Sequence, residues 1–437
     1  MLLEQTREED EVSDPADPRN ANRASEAQTS ESLTAAQRSA VVRWLRGESS
    51  ADAARAAGTD PTTLHVWAQS YFQQKLPTRM GSSGKATGRV NAAVQIRRDA
   101  WGIAHLSARD ERDLFFGLGY AMAQDRLWQL DYQRRFVRGE LAAILGHRLL
   151  ANDRTMRLVG FGKIADRDAE TMSDQVRTVL DAFSAGINQW IEQIGRDLPV
   201  EFEILGYEPA PWRPADSIAI WKHRWWTLTG RLELSVVAEA AQRLLPPELA
   251  QAFATVELSD ETIVPESLAD LPSSETGGAA LDEGSNNWVV GGGRTTTGSP
   301  ILCSDPHNDL RVPSQWFEAQ LTCDAFDAAG AVYLGTPGLY LGRNQHVAWG
   351  LTNHFVSVRD LYQEETSAEH PGQYRDGDAW RELATDEQTI AIAGEPDEKM
   401  AIRSTVRGPI VNELLPRIDD EPFPPISMRW IGAEVPA

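Results

Sequence analysis

The hydrophobic pattern of this chain changes period once, and the change falls at Gly284-Ser285. From about Glu111 to Leu245 the apolar residues recur at helical spacing, as in "ERDLFFGLGYAMAQDRLWQLDYQRRF". There Leu114, Phe115, Leu118, Met122, Leu127, Leu130 and Phe136 make one stripe that predicts a core helix. After Ser285 the signal becomes that of strands, "NNWVV", "PILCSD", "QWFEAQLTC", "FDAAGAVYLG" and "HVAWGLT", parted by Gly, Asn, Asp and Pro turns. Residues 246–284 separate the two regimes: they lose periodicity after about Val256 and become acidic and rich in Gly and Ser, which reads as a spacer. Helices first and strands afterwards restrict the main part of the chain to an α+β layered domain.

Upstream of that domain the chain carries other material. Residues 1–32 are polar and acidic, too poor in apolar side chains to offset the entropy of ordering, and are expected to be a disordered tail. Residues 33–76 contain three short helical patterns. The first is "LTAAQRSAVVRWLRGE", with Thr34 as N-cap; the second ends at Gly58; the third opens with Asp60 as N-cap and Pro61 at its first position. Three helices with a Gly-containing turn between the last two resemble a helix-turn-helix module. Residues 77–89 read as a Gly/Ser/Pro linker, and residues 90–245 as the mostly helical region, opening with a strand at Val94 to Arg97 and a turn at Asp99 to Gly102.

Charge narrows the partners. A net charge of −22 repels phosphate backbones, so nucleic acid is disfavoured as a partner of the protein as a whole, and only the helix-turn-helix-like segment leaves that question open. The N-terminal residues have neither a basic nor an apolar signal region, and no window reaches the roughly 18 uninterrupted apolar residues of a membrane span. A soluble, cytoplasmic protein without a membrane partner is the expectation. Two cysteines, Cys303 and Cys323, exclude a disulfide scaffold and a thiolate metal cage.

The chemistry gathers at the period change. A serine hydroxyl needs a base within reach. His307, flanked by Asp305 and Asp309, is a nominal candidate, yet side chains at i and i+2 of an extended segment run parallel, so a triad built from Asp305 and His307 is disfavoured. Alternatively, cutting Gly284-Ser285 frees the α-amine of Ser285, with a pKa of about 8, to serve as its own base. The spacer would then be a removable segment.

These residues match a family. "GSNNWVV", "DPHNDL", "LGTPGLYLGRNQHVAWGLTN" and, before the spacer, "RDAWGIAHLSARDERDLFFGLGYAMAQDRLWQLDYQRR" stand in the order found in the penicillin acylase family, and the chain resembles its N-terminal-nucleophile hydrolases. The resemblance implies a four-layer αββα fold, incomplete here, in which residues 285–437 are the first part of a β chain that associates with the α-chain region after processing. It implies cleavage at Gly284-Ser285, Ser285 as the nucleophile toward a linear acyl amide such as a β-lactam side chain or an acyl-homoserine lactone, and His307 as a residue that positions it. It further implies one oxyanion donor on the backbone of Asn353, with His354 as the alternative, whereas the second donor of relatives, an asparagine side chain, would lie beyond Ala437. Little or no acylase activity is therefore expected of a chain that stops there.

Two further expectations follow from the same likeness, and a third from the residues alone. No cofactor is required, but some relatives hold calcium between the chains. Asp360 and Glu239 match or approach ligand positions, while Ser357 stands where another aspartate is usual. In the Trp-rich "WKHRWWTLTGRLEL", Trp225, Trp226 and Leu232 are the candidate acyl-pocket residues. "GGGR" at Gly291 to Arg294 lacks the ending of a phosphate loop and reads as a hairpin turn. A second reading of the whole is an inactive acylase remnant fused to a DNA- or protein-binding regulator.

Overall fold

The computed structural model describes residues 33–45, 48–75, 83–86, 88–229, 241–242, 245–254, 285–308, 312–353, 358–415 and 424–434. The chain divides into two compact units between Pro77 and Thr78.

In the first unit, α1 (Ala35–Leu45), α2 (Ser50–Ala56) and α3 (Pro61–Lys75) pack on one another. Each start is fixed by an acceptor for the orphan amides of the first turn. The Ser49 hydroxyl accepts from the Asp52 N–H at 3.1 Å, and the Asp60 carboxylate accepts from the Thr62 and Thr63 N–H groups at 2.9 and 3.0 Å. Ala40, Val41, Ala53, Ala54, Leu64 and Ala68 form the buried interior, where the small alanines let the axes approach closely.

The second unit is built on a mixed sheet in the order β1-β2-β3-β6-β7-β8-β9. Its strands are β1 (Ser83–Ala86), β2 (Val94–Arg98), β3 (Ala104–Ser107), β6 (Trp316–Thr322), β7 (Asp327–Tyr333), β8 (Leu339–Asn344) and β9 (Ala348–Trp349). Between β3 and β6 in sequence come β4 (Ser285–Val290) and β5 (Ile301–Pro306), which form a separate two-stranded sheet. Every pair in the large sheet is antiparallel except β3 with β6, which is parallel, with Ala104 opposite Ala319 and Leu106 opposite Leu321. The sheet is thus assembled from chain on both sides of the spacer. Residues 83–86, expected within a linker, instead form the edge strand β1 in register with β2. Pairing with an existing strand overrides their small-residue composition.

Against this sheet lies α4 (Glu111–Arg138), capped by Asp110 and stopped by Gly139 at φ 67°. Leu114, Leu118, Met122, Leu127 and Leu130 are fully or nearly buried; Phe115 and Phe136 are only half-buried, and Phe116 occupies the core in place of Phe115. Sheet contacts on one side and helix contacts on the other bury two faces of α4, so a single stripe does not describe it. The helix partner is α6 (Asp174–Ile194), and its approach depends on two glycines. A Cβ on Gly119 would stand 2.1 Å from the Phe183 carbonyl oxygen, and one on Gly186 would stand 1.9 Å from that of Phe116. Neither backbone could give way, so only glycine allows this contact.

A second core joins α5 (Phe161–Thr171), α7 (Pro214–Leu228) and the later strands around Ile390, Met400, Ile402, Met428 and Trp430. Lys222 of α7 pins it: fully buried, its Nζ lies 2.9 Å from the equally buried Asp168 and donates to the Gly432 carbonyl at 2.8 Å. Opposite charge and a hydrogen bond together make such a burial tolerable.

Candidate active site

Ser285 is the first residue of β4, and its register partner in β5 is Pro306. His307, the next residue, therefore leaves the hairpin at the end where Ser285 begins. The three-residue turn at Gly292–Arg294 lies at the far end, in the hairpin connection expected of "GGGR". Gly284 lies outside the described residues, so the scissile bond itself is not seen.

His307 has two neighbours at its Nε2: the Asn286 side-chain amide nitrogen and an Asp305 carboxylate oxygen, each at 3.2 Å. One proton decides between them. A protonated Nε2 donates to Asp305, whereas a bare Nε2 accepts from Asn286. The parallel-side-chain argument against an Asp305–His307 contact is corrected here, because β5 ends at Pro306 and strand alternation does not extend to His307. The pair is largely solvated, with side-chain exposures of 63% for Asp305 and 38% for His307, so its electrostatic gain is about 0–1 kcal/mol. It orients the imidazole more than it stabilises the fold.

The loop after β9 closes the site from the other side. A Cβ on Gly350 would lie 2.6 Å from both Cβ and Oγ of Ser304 and 2.9 Å from Oδ1 of Asn287, two residues that face each other across the hairpin. Only a residue without a side chain lets the "WGLTN" loop rest on β4 and β5. Asn353, three residues on, is half-buried in this loop, and His354 lies outside the described residues.

Sequence reasoning passed over Arg224. Its guanidinium donates to Asn308, directly after His307, at 3.1 Å and stacks 5.1 Å from the Tyr333 ring centre and 6.0 Å from that of Trp316. Burial pushes the nearby Tyr340 hydroxyl up, and Arg224 opposes part of that shift. A lone arginine among tryptophans in "WKHRWW" was the available signal, since burying it requires a stack and a carbonyl partner.

Next to this region is a cavity of about 570 Å³, lined among others by Gln175, Val176, Ile218, Trp221, Tyr340 and Leu351. Leu351 belongs to the Gly350 loop. The pocket residues expected from sequence stand elsewhere: Trp226 packs edge-on against Phe161 and Trp430 and under the Arg359 guanidinium, and Trp225 packs on the same second core. Neither lines the cavity; Trp221, one turn earlier on α7, does. Leu232 lies outside the described residues.

Of the residues expected to approach a calcium ion, only Asp360 lies among the described residues. Asp360 sits on the strand Arg359–Gln363, opposite Arg429 of Ile426–Trp430, while Glu239 and Ser357 lie outside the described residues. Among the described residues no group of three or more His, Cys, Asp or Glu could hold a metal ion, and no helix is long and apolar enough to cross a membrane.

A serine opening a strand, a histidine at the same end and a glycine loop laid across the hairpin define a class by their order along the chain as well as by their geometry. The penicillin amidase family profile matches residues 93–437, and the chain belongs to that family. Among its relatives, penicillin acylase 2 proenzyme of Pseudomonas sp. (strain SE83) is 34% identical over 360 residues, covering 78% of this chain and 46% of the relative. The acyl-homoserine lactone acylase QuiP of Pseudomonas aeruginosa is 28% identical over 344 residues, covering 74% of this chain and 40% of the relative. The chain therefore spans about half the length of the curated relatives it matches. A solved structure, the thermostable penicillin G acylase from Alcaligenes faecalis in tetragonal form, shares 26% identity with a TM-score of 0.34 and covers 42% of this chain and 97% of that one.

Proposed function

We propose that this chain belongs to a self-processing amidohydrolase that cleaves its own Gly284-Ser285 bond and then hydrolyses a linear acyl amide through Ser285. The observation that carries the reading is the convergence on one hairpin: Ser285 opens β4, His307 follows β5, and the Gly350 loop rests on both strands.

In processing, the Ser285 Oγ adds to the Gly284 carbonyl carbon, the peptide nitrogen leaves as the new α-amine and the resulting ester is hydrolysed by water. In turnover, the α-amine takes the Oγ proton as the hydroxyl attacks the substrate carbonyl. It then delivers that proton to the departing amine, leaving an acyl ester on Ser285 that water hydrolyses. Neutral at a pKa of about 8, such an amine is a competent base near pH 8. His307, held by Asp305 or Asn286, positions the serine and its amine. A backbone N–H at Asn353, or at His354, supplies an oxyanion donor, a contribution of about 3 kcal/mol per donor in comparable sites. The apolar cavity beside Leu351 and Trp221 has the volume for an acyl chain. Calcium remains a proposal resting on Asp360 with Glu239.

The names of the relatives, penicillin acylase and acyl-homoserine lactone acylase, support an acyl amide as substrate class. Intact mass spectrometry of freshly folded protein tests the reading. Two fragments meeting at Gly284-Ser285 are expected from the native chain and a single mass from Ser285→Ala. A native chain that stays whole, or a Ser285→Ala variant cut at the same bond, would sink it.

A further inference from the structure

None of the residues named in this chemistry lies in the unit at residues 33–75, whose charge differs from that of the acidic chain it precedes. Its last two helices are joined by the turn Ala57 to Asp60, in which Gly58 takes φ 68° and the Thr59 N–H donates to the Ala54 carbonyl at 3.0 Å. α3 buries Leu64 and Ala68 against the other two helices, which leaves Thr62, His65 and Val66 exposed on its opening turns, the His65 ring resting edge-on against Trp44 of α1 at 4.7 Å. Val66 is 54% exposed.

A short helix, a tight Gly-containing turn and a longer helix that presents its first turns outward is the geometry by which a protein sets one helix into the major groove. The outward side chains suit that setting. A threonine can donate or accept at base edges, an imidazole can do either, and valine methyls match the thymine methyl.

Charge points the same way. α1 and α3 carry no carboxylate and three cations, Arg38, Lys75 and Arg43, the last paired with Glu48. The acids of the unit are engaged internally: Glu48 pairs with Arg43 at 2.6 Å, Asp52 pairs with Arg55 at 2.7 Å, and Asp60 caps α3. Beyond the caps, the sequence from Pro61 to Arg98 contains no Asp or Glu at all, in a chain whose net charge is −22. A polyanion is thereby tolerated at this stretch although the net charge of the chain opposes it.

We propose that residues 33–75 bind duplex DNA, with α3 in the major groove and Thr62, His65 and Val66 toward the base edges. The test uses the full chain and a fluorescent mixed-sequence duplex of about 30 base pairs, long enough for several helical turns. Fluorescence anisotropy should show binding at about 50 mM salt that weakens roughly 40-fold by 200 mM, as three phosphate contacts would give. The double variant Thr62→Glu/Val66→Glu, with an unchanged circular dichroism spectrum, should bind at least about 10-fold more weakly, whereas Val66→Lys should bind at least as tightly as the native chain. Absence of duplex binding at low salt, binding indifferent to both substitutions, or preference for single-stranded RNA of the same length would each overturn the proposal. None of these outcomes bears on cleavage at Gly284-Ser285, which the mass measurement reads separately.

Discussion

A single hydrogen at Gly350 decides whether its loop can rest on the β4–β5 hairpin. The "WGLTN" wording was legible in the sequence as a motif, but what it touches was not: a Cβ there meets Ser304 at 2.6 Å and Asn287 at 2.9 Å. Gly350→Ala is expected to cost about 1–3 kcal/mol through overpacking and to lift the loop off Ser304 and Asn287. The time course of Gly284-Ser285 cleavage by mass spectrometry should then slow markedly, while Gly338→Ala, whose Cβ would meet nothing within 4 Å, should leave it unchanged. Equal rates for the two variants would remove Gly350 from the site. The Asp305–His307 contact gives the complementary lesson. Strand alternation is a rule about residues inside a strand, and the end of β5 at Pro306 frees the next side chain from it.

At the scale of the element, α7 shows how one helix serves two cores. Trp221 and Trp226 are five positions apart, roughly 140° around the axis, so the first faces the cavity and the second the cluster of Phe161 and Trp430. A run of tryptophans announces burial but not which wall is buried, because the neighbours that choose the wall come from distant chain. Between them, the His223 ring lies edge-on to Phe136 at 5.1 Å and Phe161 at 5.3 Å. Burial, with Arg224 adding repulsion, lowers its pKa to about 4. The folded state therefore favours the neutral ring, while the unfolded chain takes up a proton below about pH 6.5. Stability is fully present above that pH and is lost as pH falls toward 4, on the order of 2 kcal/mol after allowing for the part of the ring that water reaches. His223→Phe should flatten this stretch of the denaturation-midpoint profile between pH 6.5 and 4; an unchanged profile would show the charge is not confined there.

At the scale of the molecule, the parallel seam between β3 and β6 binds chain from before and after the spacer into one sheet. His105 and Gln320, register partners 215 positions apart, hydrogen-bond across it at 2.7 Å, and Leu106 and Leu321 are both about 1% exposed. Cutting the chain between them removes no strand pairing, so the two processed pieces should co-elute by size exclusion in native buffer and separate only in denaturant. Separation in native buffer would mean the seam does not hold the halves. The sequence by itself determined the features that depend on near neighbours: the helix of α4, the cap at Asp60, the period change at Ser285, and the family motifs with their order. Only the tertiary structure decided that residues 83–86 form a strand, that Phe116 and not Phe115 enters the core, that Trp221 and not Trp225 or Trp226 walls the cavity, and that Arg224 reaches Asn308. Periodicity and capping are set by residues a few positions apart, whereas sheet register, close backbone approach and cavity walls arise between segments hundreds of positions apart. No local pattern specifies which of those segments will meet.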